Sequence, residues 1–163
     1  MWGTVIAMPQ PRNRDAIVEA IKDQGLLRNL DPHHLHKLAA FGLEASFESE
    51  HVIFRERDVT GYFYLITSGS VVLEIVAPAR HIAIQTLHCG DAFGWSSLLG
   101  SGPKHFQART LSPVTAVAFD GAQVRAACEE DPRFGYSIMK RLLEVVTERI
   151  DASRHQIGTT TTD

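Results

Sequence analysis

Apolar residues recur at helical spacing from about Asn13 to Ala40. They alternate with polar ones from about Phe47 to Phe119, then return to helical spacing. Residues 1–12 hold two prolines and no periodicity, and read as a loose leader. Asn13 or Asp15 opens a helix in which Ala16, Ile17, Ala20 and Ile21 repeat at helical steps, with Gly25 placed as a C-cap glycine. Asp31-Pro32 starts a second helix, an N-cap acid followed by proline at the first helical position. Leu35, Leu38 and Ala39 form its apolar side.

The alternating region contains several short strands. Val52-Ile53-Phe54 and Tyr62 to Ile66 are rich in branched and aromatic residues. After the Ser68-Gly69-Ser70 turn, Val71, Leu73 and Ile75 share one face, with Ser70 and Glu74 on the other. A break at Ala77-Pro78-Ala79-Arg80 leads to Ile82 and Ile84, which alternate with His81, Ala83 and Gln85. Two further strands cover Phe106 to Arg109 and Val114 to Phe119. Short strands with turns at this spacing predict a sandwich or barrel.

Asp120, with Gln123 three positions on, caps the next helix, whose buried stripe is Val124, Ala127 and Cys128. Asp131-Pro132 opens the longest one. Along it Tyr136, Met139, Leu143, Val146, Ile150, Ser153 and Ile157 fall at alternating three- and four-residue steps, a heptad seam. A second stripe, Ile138, Leu142, Val145 and Arg149, lies beside it. One stripe suits the barrel and the other a second copy of the helix; the alternative is one wide core face. The segments are thus leader 1–12, helices 13–42, barrel 46–120, C-terminal helices 121–157 and a frayed tail 158–163.

Composition narrows the function. The 163 residues carry a formal net charge of −3, 44% apolar and 21% charged residues, with no basic run. That is ordinary for one globular domain and argues against a nucleic-acid partner. No apolar stretch approaches the roughly 20 residues of a membrane span. The start has neither the basic n-region nor the apolar core of a signal peptide. Cys89 and Cys128 make no disulfide framework, so a reduced cytoplasmic setting is expected.

Within the barrel, Gly90-Asp91-Ala92-Phe93-Gly94-Trp95-Ser96-Ser97-Leu98-Leu99 reads as a glycine-hinged turn running into a short helical turn. Backbone N–H groups at such a start, with two serine hydroxyls, suit an anion. Ser96 and Ser97 either bind that anion or cap the turn. Trp95 either stacks on a ligand ring or covers the pocket floor. Lys104 is either the ligand's cation or a solvated strand-end lysine.

Helices, then a barrel interrupted by a glycine-led turn, then a long helix, resemble the cyclic nucleotide-binding domain of catabolite activator proteins and kinase regulatory subunits. Leu27-Arg28-Asn29-Leu30-Asp31-Pro32-His33-His34-Leu35 is similar to its leader helix. Val52 to Asp58 with Tyr62 to Val71 is similar to its first hairpin. Gly90-Asp91-Ala92-Phe93-Gly94 with Leu98-Leu99 is similar to the start of its phosphate-binding cassette. The resemblance implies a mainly β fold with flanking helices, a small double-stranded jelly-roll β-barrel with N-terminal helices and a long C-terminal helix. It implies a non-catalytic regulatory module that binds a small anionic ligand, cyclic AMP or cyclic GMP first, and passes occupancy to the C-terminal helix. The ligand residues would be Phe93, Gly94, Trp95, Ser96, Ser97, Lys104 and His105, and the homodimer seam Met139, Leu143, Val146, Ile150 and Ile157.

Four positions, Trp95, Lys104, His105 and Arg57, depart from the family pattern. Trp95 stands where a glutamate accepts from the ribose 2′-hydroxyl, and it has a donor but no carboxylate. Lys104 stands at the phosphate arginine, a point charge without the bidentate fork, and is followed by His105. Arg57 replaces the glycine of a Gly-Asp pair. The departures leave a second reading, a degenerate domain that contacts a partner protein or itself. Only Gly158 to Asp163 follow the long helix, so no helix-turn-helix is expected. His33, His34 and His36 include an i, i+3 pair, but no cysteine or acid cluster supports a metal over a solvated face. No residue is marked as a haem ligand, and Cys89 reads as a half-buried, inert thiol. No catalytic triad, paired acids or phosphate loop suggests an enzyme.

Overall fold

Among the described residues, eight strands and four α-helices form two antiparallel four-stranded sheets with helices gathered against one of them. The computed structural model describes residues 14–100 and 103–158, the side chains of 152, 153 and 155–158 excepted. The leader, the tail beyond Gly158 and the side chains of Ser153 and Ile157 lie outside the described residues.

Helix α1 (Arg14–Ile21) buries Ile17, Val18 and Ile21, and α2 (Pro32–Ala39) buries Leu35, Leu38 and Ala39. Asp31 caps α2 as its sequence predicts, accepting from the His33 N–H at 2.8 Å. Gly25 does not end α1, which stops at Ile21. The chain instead takes its left-handed step at Asn29, φ 67°.

The strands are β1 (Gly42–Phe47), β2 (Val52–Phe54), β3 (Tyr62–Ser68), β4 (Val71–Ala77), β5 (Arg80–Leu87), β6 (Ala92–Phe93), β7 (Gln107–Thr110) and β8 (Val114–Asp120). One sheet has the order β1-β8-β3-β6, the other β2-β7-β4-β5. Extended structure begins at Gly42 rather than near Phe47, and residues 40–42 are not helical. Gly42 pairs with Phe119 across β8, and an added Cβ there would lie 2.9 Å from a Val117 methyl. The missing side chain therefore lets β1 close on the sheet.

Both faces of the β3–β8 pair are covered. Phe63, Leu65, Val117 and Phe119 pack against α1, α2 and the C-terminal helices, while Ile66, Val114 and Ala116 join Phe54, Val71, Leu73, Leu87 and Phe93 between the sheets. That double burial explains why β8 reads as a near-continuous apolar run.

Val71 and Leu73 lie between the sheets and Glu74 sits on the other face of β4, opposite Gln107, as the alternation predicts. Glu74 is nonetheless 1% exposed, an acid sealed under polar partners. The register shift at Leu73/Glu74 belongs to the β4–β5 pairing, where the extra residue is on β5.

Helix α3 (Gly121–Glu130) is capped by Asp120, which accepts from Ala122 and Gln123 N–H at 2.9 and 3.2 Å. Helix α4 (Pro132–Gly158) is capped by Asp131 through the Phe134 N–H, and Asp131 also binds the Lys37 ammonium at 3.0 Å. Gly135 permits the close α3–α4 crossing, since a Cβ there would meet Cys128 O at 2.8 Å. Ile138, in the second stripe of α4, is 4% exposed, and Leu142 and Val145 pack beside it, so this stripe faces the body of the domain. Tyr136, Leu143 and Ile150 are largely exposed.

Candidate functional site

The glycine-led turn lies between β6 and β7, at the mouth formed by β4, β5 and α4. Gly94 adopts φ 80°, and a Cβ there would sit 3.2 Å from Tyr62 O. The residue is held against β3 where only glycine fits without strain. A single 3-10 turn, Trp95–Leu98, follows.

Lys104 is brought to this turn by the loop after β2. Its backbone N–H donates to Asp58 O at 3.0 Å, and its carbonyl accepts from the Arg57 N–H at 2.8 Å. Arg57 takes φ 70°, and Asp58 closes the loop by accepting from the Arg55 N–H at 2.7 Å. An arginine here thus preserves the left-handed turn at a cost of roughly 1–2 kcal/mol.

The Lys104 ammonium points inward, donating to Gly94 O at 2.7 Å and Ser96 Oγ at 3.2 Å, and lies 5.1 Å from the centre of the Phe54 ring. The residue is 3% exposed, and burial pushes its pKa down to about 8. Both hydrogen-bond acceptors are neutral. A solvated strand-end lysine is therefore not what forms; it is a buried cation without a carboxylate among these partners.

A cavity of about 100 Å³ opens beside it, lined by Gly94, Trp95, Ser96, Lys104 and His105 among others. A larger one of about 390 Å³ continues outward between the β4–β5 sheet and α4. Trp95, Leu73, Phe106 and Arg149 line both, so the two are compartments of one cleft.

Five of the seven residues expected at the site line this cleft: Gly94, Trp95, Ser96, Lys104 and His105. Phe93 does not; it is fully buried, stacked on Tyr64 with ring centres 5.1 Å apart. Ser97 does not either. Its hydroxyl donates back to Gly94 O at 3.2 Å, and the side chain is buried against Gly121, where a Cβ would lie 2.6 Å from Ser97 Oγ. Ser97 therefore closes the turn and seats it on α3.

Arg149 is the residue whose part here sequence patterning did not assign. Its guanidinium donates to Ala92 O and lies 4.2 Å from the Trp95 ring centre. Burial lowers its pKa to about 10, against the field of Asp91. The available signal was a cation inside an otherwise apolar stripe, Ile138-Leu142-Val145-Arg149, which implies a polar or aromatic acceptor on the packed face. Val146 also lines the outer compartment, as does Ile150.

On β4, β5 and β7 a second polar cluster forms. Glu74 accepts from Arg109 Nε and Nη2 at 3.0 Å each, from Gln107 Nε2 at 2.8 Å, and lies 3.2 Å from His81 Nδ1. Arg109 also reaches Glu50 at 2.6 Å. The Arg109 guanidinium leads in holding the Glu74 pKa down to about 2, against the opposing effect of burial. This cluster locks β4 to β7, the strands that carry Leu73 and follow Lys104.

The remaining candidates are dispersed. His33 and His36 are exposed, while the His34 ring meets Phe134 edge-on at 5.8 Å. No group of three metal-ligating side chains occurs among the described residues. Cys89 is exposed rather than half-buried, its thiol donating to Thr67 O at 3.1 Å. No helix among the described residues is long and apolar enough to cross a membrane.

The family model of the cyclic nucleotide-binding domain matches residues 44–131, more than half of the chain. The chain belongs to the cyclic nucleotide-binding domain family. Within it, the chain is 25% identical over 141 residues to a CRP-like cAMP-activated global transcriptional regulator of Mycobacterium tuberculosis, covering 86% of this chain and 61% of that one. It is 29% identical over 101 residues to a cAMP-dependent protein kinase regulatory subunit of Blastocladiella emersonii, covering 61% of this chain and 25% of the relative. The chain thus spans about three-fifths and a quarter of these two relatives. Among solved structures, a cyclic nucleotide-binding domain from Methylobacillus flagellatus KT superposes with a TM-score of 0.76 at 19% identity, over 92% of this chain and 85% of that one. The cAMP-bound regulatory domain of Toxoplasma gondii PKA superposes at 0.67 and 19% identity, over 83% and 50%. These likenesses carry the fold: a jelly roll of two antiparallel sheets with a long C-terminal helix, in a family of regulatory domains.

Proposed function

We propose that this chain is a non-catalytic regulatory module that binds a small organic anion in the cleft beside Gly94, and that occupancy is passed to α4. The single observation that carries this reading is Lys104. A buried ammonium that touches only neutral acceptors, beside an open compartment, is stabilised by an incoming anion. Cyclic AMP and cyclic GMP are the first ligands to test, with the phosphate at Gly94, Ser96 and Lys104 and the base in the outer compartment. His105 lines the same compartment as Lys104. Arg149, fixed to Ala92 and Trp95, gives α4 a direct contact with the ligand's surroundings, so filling the cleft biases the position of the helix. The exposed side of α4, Met139, Leu143 and Ile150, supplies the surface for a homodimer. Both described cysteines are unpaired, which suits the reducing cytoplasm.

Calorimetric titration with cyclic AMP and cyclic GMP tests the reading, with Lys104→Gln as the comparison. Saturable heat that the variant loses supports it. The absence of heat from either nucleotide at millimolar concentration removes cyclic nucleotides as ligands.

A second reading has its own observation. Arg149 already covers the Trp95 ring, as a ligand's ring would, which favours a domain whose cleft is filled from within and whose α4 face contacts a partner protein. An Arg149→Ala variant that gains no affinity for any small anion, while the wild type still self-associates, favours that second reading.

A further inference from the structure

We infer that the cleft selects a flat, apolar organic anion without a sugar: one carboxylate or phosphate on an aromatic or hydrocarbon body. The inference rests on the reading of the cleft as a small-anion site and names its ligand class.

The two compartments divide the chemistry. The inner one, about 100 Å³, holds the buried Lys104 ammonium and suits a single anionic group, since it is too small for a sugar and base together. The outer one, about 390 Å³, is walled by Leu73, Ile84, Trp95, Phe106, Val146 and Ile150. Its polar contributions are Gln85, Arg149 and Arg154; among the described residues no aspartate or glutamate lines either compartment, and Asp91, Glu144 and Glu148 line a separate cavity of about 420 Å³ on the far side of Arg149 and Gln85.

A cleft without a carboxylate has no anionic acceptor for a hydroxyl group. A ribose buried there finds only neutral acceptors, the Gln85 amide oxygen and the Ser96 hydroxyl, among apolar walls and guanidinium donors, and each of its hydroxyls left unpaired lowers affinity. The same walls favour a hydrocarbon or aromatic body, whose burial is itself the driving force. The polar groups at the opening do not reverse this. The Arg149 guanidinium already donates to Ala92 O and lies on Trp95, in the field of Asp91. Arg149 and Arg154 both repel a cationic ligand and tolerate an anionic one. The charge of the ligand is thus read at Lys104, and its body by the apolar walls.

The test is calorimetry on the full chain near pH 7 with three probes: 2-naphthoate, its neutral counterpart 2-naphthalenemethanol, and cyclic AMP. The expected result is that 2-naphthoate binds at least tenfold more tightly than the alcohol and than cyclic AMP. Lys104→Met, which keeps the buried stem and removes the ammonium, should erase the difference between acid and alcohol. Equal binding of acid and alcohol by the wild type overturns the proposal, since the cleft would then be an apolar crevice that does not read charge. Tighter binding of cyclic AMP overturns the ligand class but leaves the anion site standing. Failure of both anions to bind overturns the anion site as well. If Lys104→Met does not fold, the acid–alcohol pair on the wild type still decides the matter.

Discussion

The Arg149 guanidinium, from the middle of α4, lies 4.2 Å from the centre of the Trp95 ring, in the turn after β6. Fifty-odd residues apart in sequence, they join the longest helix to the ligand cleft. A partly desolvated cation–π contact contributes roughly 0.5–2 kcal/mol, and the bond to Ala92 O adds to it. Arg149→Ala should therefore lower amide protection along 142–150 by about tenfold or more, the equivalent of roughly 1.4 kcal/mol. Hydrogen exchange measures this, and Trp95 emission in a Trp2→Phe background should shift to the red. Unchanged protection would show that other contacts dock this part of α4. Arg149→Lys should fall between, because it keeps charge without the planar stack.

Lys104 sets an alkaline dependence. Its pKa is lowered from 10.5 to about 8 by burial. Between these values the unfolded chain holds a proton that the folded chain has released, so stability rises with pH from about 8 to about 10.5 and the burial cost is fully felt below 8. Over that span the gain is of order 2–3 kcal/mol. The stability of wild type relative to Lys104→Met, from denaturant midpoints at pH 7 to 10.5, should increase accordingly. A bound anion restores the ammonium, so ligand affinity should decline above pH 8, and binding at pH 8.5 should take up protons, seen as a buffer-dependent heat. Affinity that is level across pH 7–10 would contradict this role.

Glu74 sets the acid limit. Its pKa is lowered from 4.5 to about 2, chiefly by Arg109. Its contribution to stability is complete above about pH 4.5 and disappears as pH falls through about 2. Glu74→Ala leaves the Arg109 guanidinium without its main partner and should cost roughly 3–5 kcal/mol, the range for breaking a buried pair. Chemical denaturation at pH 7 checks the magnitude. Acid unfolding checks the direction, because the variant should lose less stability than wild type between pH 4.5 and 2.

The exposed face of α4 makes a separate prediction. Leu143 and Ile150 are 66% and 56% exposed on one side of a long helix. If a second copy covers them, Leu143→Asp should move the sedimentation coefficient from dimer to monomer at micromolar concentration, without loss of helical signal. A wild-type protein that is already monomeric at that concentration contradicts the seam.

Local periodicity and end signals carried much of the fold. Proline after an acid marked α2 and α4, Asp120 marked α3, and alternation marked the strands, because each signal acts within a few residues of where it is read. β1 escaped because Gly42 to Phe47 owes its extended form to pairing with β8, roughly seventy positions away. Five expected ligand residues line the cleft because their motif is local, whereas Phe93 and Ser97 face the core and α3, a matter of which side of the turn packs.

Local pattern alone placed Trp95 directly after the glycine-led turn and gave α4 its two stripes. The inward turn of Lys104 to Gly94, the sealing of Glu74 beneath Arg109 and the closure of Arg149 over Trp95 came from packing between distant elements. The physical reason is that a charge is buried or solvated according to the groups that meet it in space. In each of these cases the decisive group comes from another element of the chain.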